Sequence, residues 1–403
     1  MKESILIVSR NSFAAITRES KLIDTLLGYD LFCIYSPRAN ALPPKEVCKE
    51  LHLVELRDSE EYIASLASVI DSRYPLARVV SVSEQDLLPA AAARDRLKLP
   101  GLSRADAEPF RDKVRMKERV RGIVKVPEEL LELRPDVLAK FRQRHSKIIV
   151  KPRAGYGSQN CFVIDSDAEL AMILQQLEGQ LGNYFAEQFI SLPVYHLDAL
   201  VRNGQCLFAC LGTYNHPPMD FESSQWLVST ISNEPTALYK KASTLLSQLV
   251  ECFGAADGVF HLEFFASDDE LYFGEIAIRP AGGGITDAIS RAWGVHLYEE
   301  HVRLQLGLAP KASPGSYAVR HAANMLYYND KAGELTRLDL SRVQADPLVR
   351  DVHVHAQTGR DIDAARYSGD ALFTTAIVAD FAVELDAAVR GVMRNAVVEV
   401  RVR

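Results

Sequence analysis

Apolar and polar positions along the first hundred residues switch between the spacing of strands and the spacing of helices. Four short apolar runs have strand character, namely SILIVS, DLFCIYS, LHLVEL and ARVVSVS. The other segments have helical spacing, and we predict helices over residues 18–27, 60–72 and 86–97. Because strands alternate with helices, we expect a parallel sheet with helices on its faces over residues 1–110.

The next part of the chain predicts a charged helix and then a glycine-rich turn between two strands. The segment RDKVRMKERV predicts a helix over residues 112–121, and IIVKPRAGYGSQNCFVI predicts strand, turn and strand. Gly155 and Gly157, followed by Ser158, allow backbone N–H groups to approach a phosphate, and Lys151 on the first strand supplies a cation. Glycine-rich hairpins are also common without a ligand, and the spacing differs from the GxxxxGK[ST] pattern of a P-loop.

A second predicted hairpin carries acidic residues on one face. Two runs rich in β-branched and aromatic residues, VFHLEFF and LYFGEIAIR, flank the polar turn SDDE. Glu263 and Glu275 then lie opposite each other or one pair off, at roughly 5 Å, where their charges repel. A hard divalent cation would relieve this repulsion, and Arg279, on the strand face of Glu275, would meet an anion held by the metal. The alternative is an ordinary hairpin with solvated or ion-paired side chains.

Two irregular segments near this hairpin are candidates for substrate contacts. The glycine run that includes Gly283 and Gly284 lets backbone N–H groups approach an anion before a helix that begins near Thr286. The segment HPPMDFESSQ contains two prolines and is predicted as a loop over the site, with His216 and Phe221 as candidate contacts. A surface loop held by packing is the alternative.

Composition narrows the class of protein without identifying an activity. The chain has 403 residues, of which 48% are hydrophobic and 25% charged, as is typical of globular domains. A net charge of −7 offers no general basic field for nucleic acid, and no apolar stretch approaches a membrane span, so we expect a cytoplasmic protein without such partners. The six cysteines form no CxxC pair and are expected as reduced thiols.

Taken in chain order, these segments resemble the motifs of the ATP-grasp superfamily of carboxylate ligases. RDKVRMKERV, with Lys113, resembles the helix that leads into the family's nucleotide site, and IIVKPRAGYGS resembles its second lysine and phosphate-covering loop. AEQFI is similar to the hinge against adenine, and GVFHLEFF with GEIAIRPAGGG is similar to the metal-binding strands. The C-terminal part is similar to the β-rich domain of the branch that contains L-amino-acid ligases and, more distantly, biotin carboxylase.

The resemblance implies an ATP-grasp fold that combines α/β and α+β parts. The N-terminal parallel α/β domain would occupy residues 1–110, and the ATP-grasp domain would occupy residues 111–310. Within the latter, residues 147–212 would form a mobile lid subdomain. A C-terminal, β-rich α+β domain would occupy residues 311–403.

The resemblance also implies that ATP phosphorylates a substrate carboxylate and that an amine attacks the acyl phosphate, releasing ADP and phosphate. Small-molecule carboxylates and amines, with amino acids among them, would be the partners, and a homodimer is left open. Mg²⁺, or alternatively Mn²⁺, would bind Glu263 and Glu275, while Arg279 and Lys151 would act on the transferring group. The nucleotide would contact Lys113, Lys151, Gly155, Tyr156, Gly157, Ser158, Glu187, Gln188, Phe189 and Ile190, and the substrate would contact His216, Phe221, Gly283 and Gly284.

Two positions depart from the family pattern, and the general base is not evident. Val194 stands where a ribose-binding Glu is common, and Ala277 stands in EIAIR where the family commonly reads EINxR with the Asn as a further Mg²⁺ ligand. Water can replace that ligand, because Mg²⁺ usually keeps several waters. His261, on the strand face of Glu263, is either a base or a packed structural residue. A biotin-carboxylase-like carboxylase and a degenerate, nucleotide-binding regulatory protein are the alternative functions.

Overall fold

The computed structural model describes residues 2–10, 13–18, 21–39, 41–55, 59–222, 224–313 and 317–402 of the 403-residue chain. Its first part is an α/β unit in which four parallel strands are ordered β5-β4-β1-β6, as the alternating pattern predicts. The central strands are fully buried because helices cover the sheet. The elements are β1 (Glu3–Val8), β2 (Thr17–Arg18), β3 (Lys21–Leu22), β4 (Tyr29–Tyr35), β5 (Glu50–Leu53), α1 (Glu60–Arg73), β6 (Leu76–Ser81) and α2 (Leu87–Leu97).

The helix predicted over residues 18–27 is wrong. The described residues of this segment form the short antiparallel pair β2–β3 and a 3₁₀ turn over Asp24–Leu26. Ile23 donates its backbone N–H to the carbonyl oxygen of Ile16, and Ile16, Ile23 and Leu26 are buried in the core beside the parallel sheet. Burial of these three side chains against the sheet outweighs the helical spacing of the apolar residues.

A smaller antiparallel sheet follows, with the order β7-β10-β8-β9. Leu138 and Phe141 of one helix and Leu170 and Ile173 of another pack against its buried residues, which include Val150. The elements of this part are α3 (Arg104–Ala107), α4 (Lys113–Val120), β7 (Glu129–Leu130), α5 (Pro135–His145), β8 (Ile148–Pro152), β9 (Phe162–Ile164), α6 (Asp167–Gln176) and β10 (Tyr184–Gln188).

An eight-stranded sheet forms the centre of the molecule, with the order β15-β14-β11-β12-β13-β16-β20-β18. This sheet crosses the predicted domain boundary at residue 310. Strand β13 comes before the boundary and β16 after it, and the two strands pair along seven residues. A three-stranded sheet, β19-β17-β21, lies near the C-terminus. The elements are β11 (Val194–Arg202), β12 (Gln205–Tyr214), β13 (Trp226–Ser232), α7 (Ala237–Phe253), β14 (Gly258–Ala266), β15 (Leu271–Ala277), α8 (Ile285–Trp293), α9 (Leu297–Gln305), β16 (His321–Tyr327), β17 (Gly333–Asp339), α10 (Ser341–Gln344), β18 (Val349–Val354), β19 (Asp361–Ile362), β20 (Phe373–Ala379), α11 (Ala382–Asn395) and β21 (Val397–Val402).

The two faces of this sheet have different roles. Leu262 and Phe264 of β14 point into a core shared with α4 and α7. The intervening residues His261 and Glu263 point to the opposite face, because side chains alternate along a strand. That opposite face, which α8 also covers in part, is where the candidate site lies. None of the described helices is both long enough and apolar enough to cross a bilayer.

Candidate active site

A cleft of about 580 Å³ lies between the parallel sheet, the glycine-rich turn and the eight-stranded sheet. The carboxyl ends of β1, β4 and β6 contribute Ser9, Ser36 and Ser83, which is where ligands of open parallel sheets bind. The cleft also contains most of the predicted site residues: Lys113, Lys151, Gly155, Tyr156, Gly157, Ser158, Glu263, Glu275, Arg279 and Gly283.

The two acidic residues of the hairpin face each other across β14 and β15. The register pairs Glu263 directly with Glu275, and an irregularity follows immediately after Glu263. Lys113 Nζ lies 2.6 Å from Glu275 Oε2. Burial by itself raises the pKa of Glu275, but Lys113, Lys151 and Arg279 together lower it to about 2. Glu275 is therefore a carboxylate at neutral pH.

The donor set fits a hard divalent cation. Both carboxylates are partly exposed at the cleft and offer oxygen atoms, the ligands that Mg²⁺ prefers. Glu263 Oε1 lies 3.2 Å from the hydroxyl of Tyr214 and 3.3 Å from Nε2 of His261. These contacts orient the carboxylate from behind, as hydrogen bonds to metal-binding groups commonly do. Ala277 offers no side-chain ligand, so waters and phosphate oxygens would complete the coordination.

A buried group of three ionisable side chains lies beside this pair. Lys151 Nζ lies 2.5 Å from Glu187 Oε2, and Lys117 forms an ion pair with the other oxygen of the same carboxylate. Burial, followed by neighbouring lysines, lowers the pKa of both Lys151 and Lys117. Sequence reasoning missed Lys117. The sequence spacing could have indicated Lys117, because it lies four residues after Lys113 and therefore on the same face of α4.

The residues predicted to form the adenine hinge, 187–190, are not among the described residues that line the cleft. Glu187 is 2% exposed, and its carboxylate is occupied by the two lysines. The backbone N–H groups of Gln188 and Phe189 donate to the carbonyl oxygens of Glu128 and Lys147. The cleft wall in this region is formed by Ile149, Lys151, Val194 and Phe265. The side chain of Ile190, the last residue of the predicted hinge, is 9% exposed.

The glycine loop, residues 154–158, contacts the C-terminal part of the chain. Gly157 has a φ of +60° and Ser158 a φ of +56°, a left-handed conformation that Gly adopts without strain. The carbonyl oxygen of Gly157 accepts a hydrogen bond of 3.2 Å from the backbone N–H of Ser368. A Cβ atom on Gly157 would lie 3.2 Å from a ring carbon of Tyr367. The loop therefore has little room for a larger residue at this point.

We expect the glycine loop to become ordered when nucleotide binds, because Gly155 and Gly157 provide no side-chain anchors of their own. Hydrogen exchange of the 154–158 peptide should slow in the presence of Mg²⁺ and a non-hydrolysable ATP analogue. The peptide across the 267–270 turn, on the acidic hairpin, serves as the control and should not change. Equal protection of the loop with and without nucleotide would indicate a purely structural turn.

Arg279 is held by an acidic residue from the parallel sheet. Its Nε and one terminal nitrogen lie 2.9 and 2.5 Å from Glu84 Oε2, and its other terminal nitrogen donates to the carbonyl oxygen of Pro280. Burial raises the pKa of Glu84, but Arg279 and Arg111 lower it overall, so this carboxylate is ionised. The contact spans 195 residues of sequence. Sequence reasoning missed Glu84 because no local pattern relates two positions so far apart.

The candidate substrate residues differ in how they relate to the cleft. Gly283 lines the cleft, and its carbonyl oxygen accepts a hydrogen bond of 2.7 Å from Asn324. Gly284 follows with a φ of +90°, and a Cβ atom there would lie 2.5 Å from Asn324 Oδ1. His216 is turned towards the backbone, with Nε2 2.6 Å from the carbonyl oxygen of Trp226. The side chain of Phe221 lies outside the described residues. Of the same segment, Pro217, Pro218 and Met219 line the cleft.

A chain of buried polar side chains runs behind Glu263. His261 Nδ1 lies 2.9 Å from one oxygen of Asp198, and His196 Nδ1 lies 2.6 Å from the other. His196 Nε2 then lies 2.6 Å from the hydroxyl of Ser229. Sequence reasoning missed His196 and Asp198, although their i, i+2 spacing on β11 places both on the face of the cleft. Because their polar atoms already contact one another, we interpret them as a hydrogen-bonded network.

The pKa of His261 argues against its role as a general base. Burial lowers this pKa, but Asp198 and Glu263 raise it to about 10 overall. The ring is therefore an imidazolium near neutral pH, in which both nitrogens donate hydrogen bonds. It holds Glu263 in place and has no lone pair with which to accept a proton from an amine.

Asp198→Asn should destabilise the protein by roughly 3 kcal/mol, because it removes the nearer of the two carboxylates that face the buried His261 ring. Burial raises the pKa of Asp198, but His261 and His196 lower it well below its ordinary value overall. The unfolded chain has a pKa near 3.9, so the stabilisation is complete above about pH 5 and is lost as the pH falls. Urea unfolding of both proteins from pH 3 to 7 measures the difference.

Asp257→Asn is the matched control, since Asp257 forms a partly exposed ion pair with Arg202 at 2.8 Å. Surface pairs of this kind contribute about 1 kcal/mol or less. If Asp198→Asn cost no more than Asp257→Asn at pH 7, the buried network would not carry the predicted stabilisation.

Comparison with known proteins identifies the type of domain in the middle of the chain. The ATP-grasp domain family matches residues 127–290. The L-arginine-specific L-amino acid ligase of Bacillus subtilis is 27% identical over 243 residues, which are 58% of this chain and 58% of that protein. The chain thus spans about half the length of the curated relatives it matches, with 58% and 41% of the length covered in two of them.

Solved structures show similarity over nearly the whole chain. The L-amino acid ligase from Bacillus licheniformis has a TM-score of 0.78 at 18% identity, covering 99% of each chain. A carboxyaminoimidazole ribonucleotide synthase from Aspergillus clavatus, complexed with ATP, has a TM-score of 0.71 at 17% identity, covering 98% of this chain and 99% of that one. At these identities the similarity establishes the fold. The chain therefore contains an ATP-grasp domain and has the mixed α/β fold of the ATP-grasp ligases.

Proposed function

We propose that this protein is an ATP-dependent carboxylate–amine ligase that forms an amide bond through an acyl phosphate and releases ADP and phosphate. The observation that carries the proposal is the convergence of opposite charges in one cleft. The facing carboxylates Glu263 and Glu275 lie there with three cationic side chains, those of Lys113, Lys151 and Arg279. Such a set suits phosphoryl transfer, in which catalysis consists mainly of positioning and charge neutralisation.

Glu263 and Glu275 would hold Mg²⁺, with Mn²⁺ as the alternative ion. When bound, the metal supplies positive charge to the phosphate oxygens. Lys113 and Lys151 contribute further positive charge from α4 and β8. Lys151 lies 2.5 Å from Glu187 Oε2, and to contact a phosphate oxygen it would move away from this carboxylate. Lys117 remains beside the other oxygen of Glu187 after this movement.

Arg279 would hold the acyl phosphate or the substrate carboxylate. Its contacts with Glu84 and Pro280 use three of its five N–H groups, which leaves one hydrogen on each terminal nitrogen for an anion. Because Glu84 fixes the plane of the guanidinium, little rotamer freedom is lost when the anion binds. The glycine loop would close over the phosphates and exclude water, which would otherwise hydrolyse an acyl phosphate.

The substrates proposed are an amino acid as the carboxylate and a second amino acid or amine as the acceptor. The likeness to two L-amino acid ligases supports this class. The test is ADP and phosphate release over a panel of amino acids, alone and in pairs, with mass spectrometry of the products. We expect release that requires both a carboxylate and an amine, and a product whose mass is that of the two substrates less one water.

Other outcomes of the same assay would replace this proposal. Turnover that requires bicarbonate would indicate a carboxylase instead. ATP binding without turnover for any pair would indicate a nucleotide-binding regulatory protein, as the departures at Val194 and Ala277 leave open. Addition of hydroxylamine tests the intermediate, because it traps an acyl phosphate as a hydroxamate. Absence of hydroxamate during amide formation would contradict the acyl-phosphate route.

A further inference from the structure

Two cysteines of the parallel sheet place their sulfur atoms in contact. Cys33 lies in β4 and is fully buried, and Cys48 lies just before β5 and is half-buried. Their Sγ atoms are 2.8 Å apart. Both side chains belong to the apolar cluster beside the sheet, together with Tyr35 and Val47. The apolar surroundings hold the two thiols against each other.

The backbone that follows Cys48 is hydrogen-bonded to β4. The backbone N–H of Lys49 donates a hydrogen bond of 2.7 Å to the carbonyl oxygen of Leu31. The β4–β5 ladder begins at the next residue and aligns Cys33 with Leu51. Cys48 is therefore tied to the strand that carries Cys33 by consecutive hydrogen bonds. Because the ladder places Leu51 opposite Cys33, Cys48 reaches Cys33 from the segment that leads into β5, where its side chain packs into the same apolar cluster.

The other cysteines have different surroundings. The sulfur of each contacts a backbone carbonyl oxygen: Cys161 that of Gln159, Cys206 that of Phe208, Cys210 that of Asp198 and Cys252 that of Arg119. Among the described residues, the sulfur–sulfur contact is that of Cys33 with Cys48. These four cysteines therefore serve as internal controls for thiol chemistry.

We infer that Cys33 and Cys48 are a redox modification site that forms a reversible disulfide on exposure to a low-molecular-weight disulfide such as oxidised glutathione. The thiolate of Cys48 attacks one sulfur of glutathione disulfide and releases one glutathione thiolate. Cys33, once deprotonated, then attacks Cys48 Sγ and releases the second glutathione. Two protein thiols are oxidised to one disulfide, one glutathione disulfide is reduced to two thiols, and two protons pass to solvent or to the released thiolates.

The environment assigns these roles to the two sulfurs. The contact with Cys33 lowers the pKa of Cys48, whereas the contact with Cys48 and then burial raise the pKa of Cys33. Cys48 is also the more exposed of the two, and reactive thiols are both accessible and readily ionised. Cys33 is positioned for the second step, because it is buried against the sulfur that it attacks.

The disulfide would lie next to the candidate active site. It would close a loop over residues 33–48, which contains the cleft residues Ser36, Arg38 and Ala39. Restricting this loop reduces the conformational freedom of the unfolded chain, which commonly stabilises a protein. The thiol chemistry itself does not depend on the proposed ligase activity.

Peptide mapping of the full-length protein tests this inference. The reduced protein is incubated with oxidised glutathione, blocked with N-ethylmaleimide and digested without reductant. We expect one major cross-linked species that joins the peptides of Cys33 and Cys48, with the other four cysteines alkylated. A stable glutathione adduct at Cys48 without a cross-link, or a cross-link involving any other cysteine, would overturn the inference. So would unchanged alkylation of all six thiols.

Thermal unfolding provides a second measurement. The oxidised parent should melt about 3 °C higher than the reduced parent, and dithiothreitol should reverse the shift. Cys48→Ser should not respond to glutathione disulfide, while Cys252→Ser should respond as the parent does. Peptide mapping of the parent needs no variant, so it remains decisive even if a substitution impairs folding. An identical shift in Cys48→Ser would contradict the assignment.

Discussion

Glu275→Gln should lower the rate of ADP release by roughly two to three orders of magnitude while the fold remains intact. Gln preserves the shape of the side chain but removes the charge that faces Glu263 in the hairpin register. A metal would lose one of two charged ligands. Lys113, whose Nζ lies 2.6 Å from Glu275, would lose its counter-charge as well. The measurement is turnover across a range of Mg²⁺ concentrations, with circular dichroism as a check on folding.

Glu270→Gln is the matched control for this experiment. Glu270 lies in the turn of the same hairpin and forms an exposed ion pair with Lys125 at 3.1 Å, away from the cleft. Its substitution should leave turnover within a few-fold of the parent. If Glu275→Gln behaved like Glu270→Gln at every Mg²⁺ concentration, the two carboxylates would not be metal ligands, and the hairpin would be an ordinary ion-paired surface.

Lys151→Met should weaken binding of a non-hydrolysable ATP analogue by roughly 10- to 100-fold, the usual effect of losing a hydrogen bond to a charged group. Lys151 reaches the cleft from β8, whose pairing with β10 and β9 leaves the strand little freedom to compensate. Met retains most of the side-chain volume and removes the charge. Calorimetric titration in the presence of Mg²⁺ measures the dissociation constant directly.

The control is Lys125→Met, because Lys125 is largely exposed and pairs with Glu270 outside the cleft. The Lys125→Met variant should bind the ATP analogue with the same affinity as the parent protein. Unchanged affinity in Lys151→Met would mean that this lysine serves only as a structural partner of Glu187. In that case the phosphate contacts would have to come from Lys113 and the glycine loop, and the proposed movement of Lys151 would not occur.

Local spacing was sufficient to predict the elements that carry most of the candidate site. The strand period located the acidic hairpin and placed Glu263 near Glu275, because a short turn allows only neighbouring registers. The pattern of glycines located the loop at residues 154–158, and motifs in chain order indicated the ATP-grasp resemblance. These features depend on residues close together in sequence. The error over residues 18–27 arose where buried side chains, and not local spacing, decided the conformation.

Contacts between distant segments were decided only by the tertiary structure. Glu84 meets Arg279 across 195 residues, because the end of β6 and the residues after β15 converge on one cleft. Glu187, predicted to contact the nucleotide, forms its ion pair with Lys151 because β10 pairs with β8.

The tertiary structure also decided which partners the buried charged groups have. Asp198 contacts His196 on its own strand, and it meets His261 because β14 pairs with β11. A buried charge requires a partner wherever the fold provides one, and the identity of that partner depends on which strands become neighbours. Local sequence patterns determine the strands, whereas the packing of the whole chain determines their neighbours.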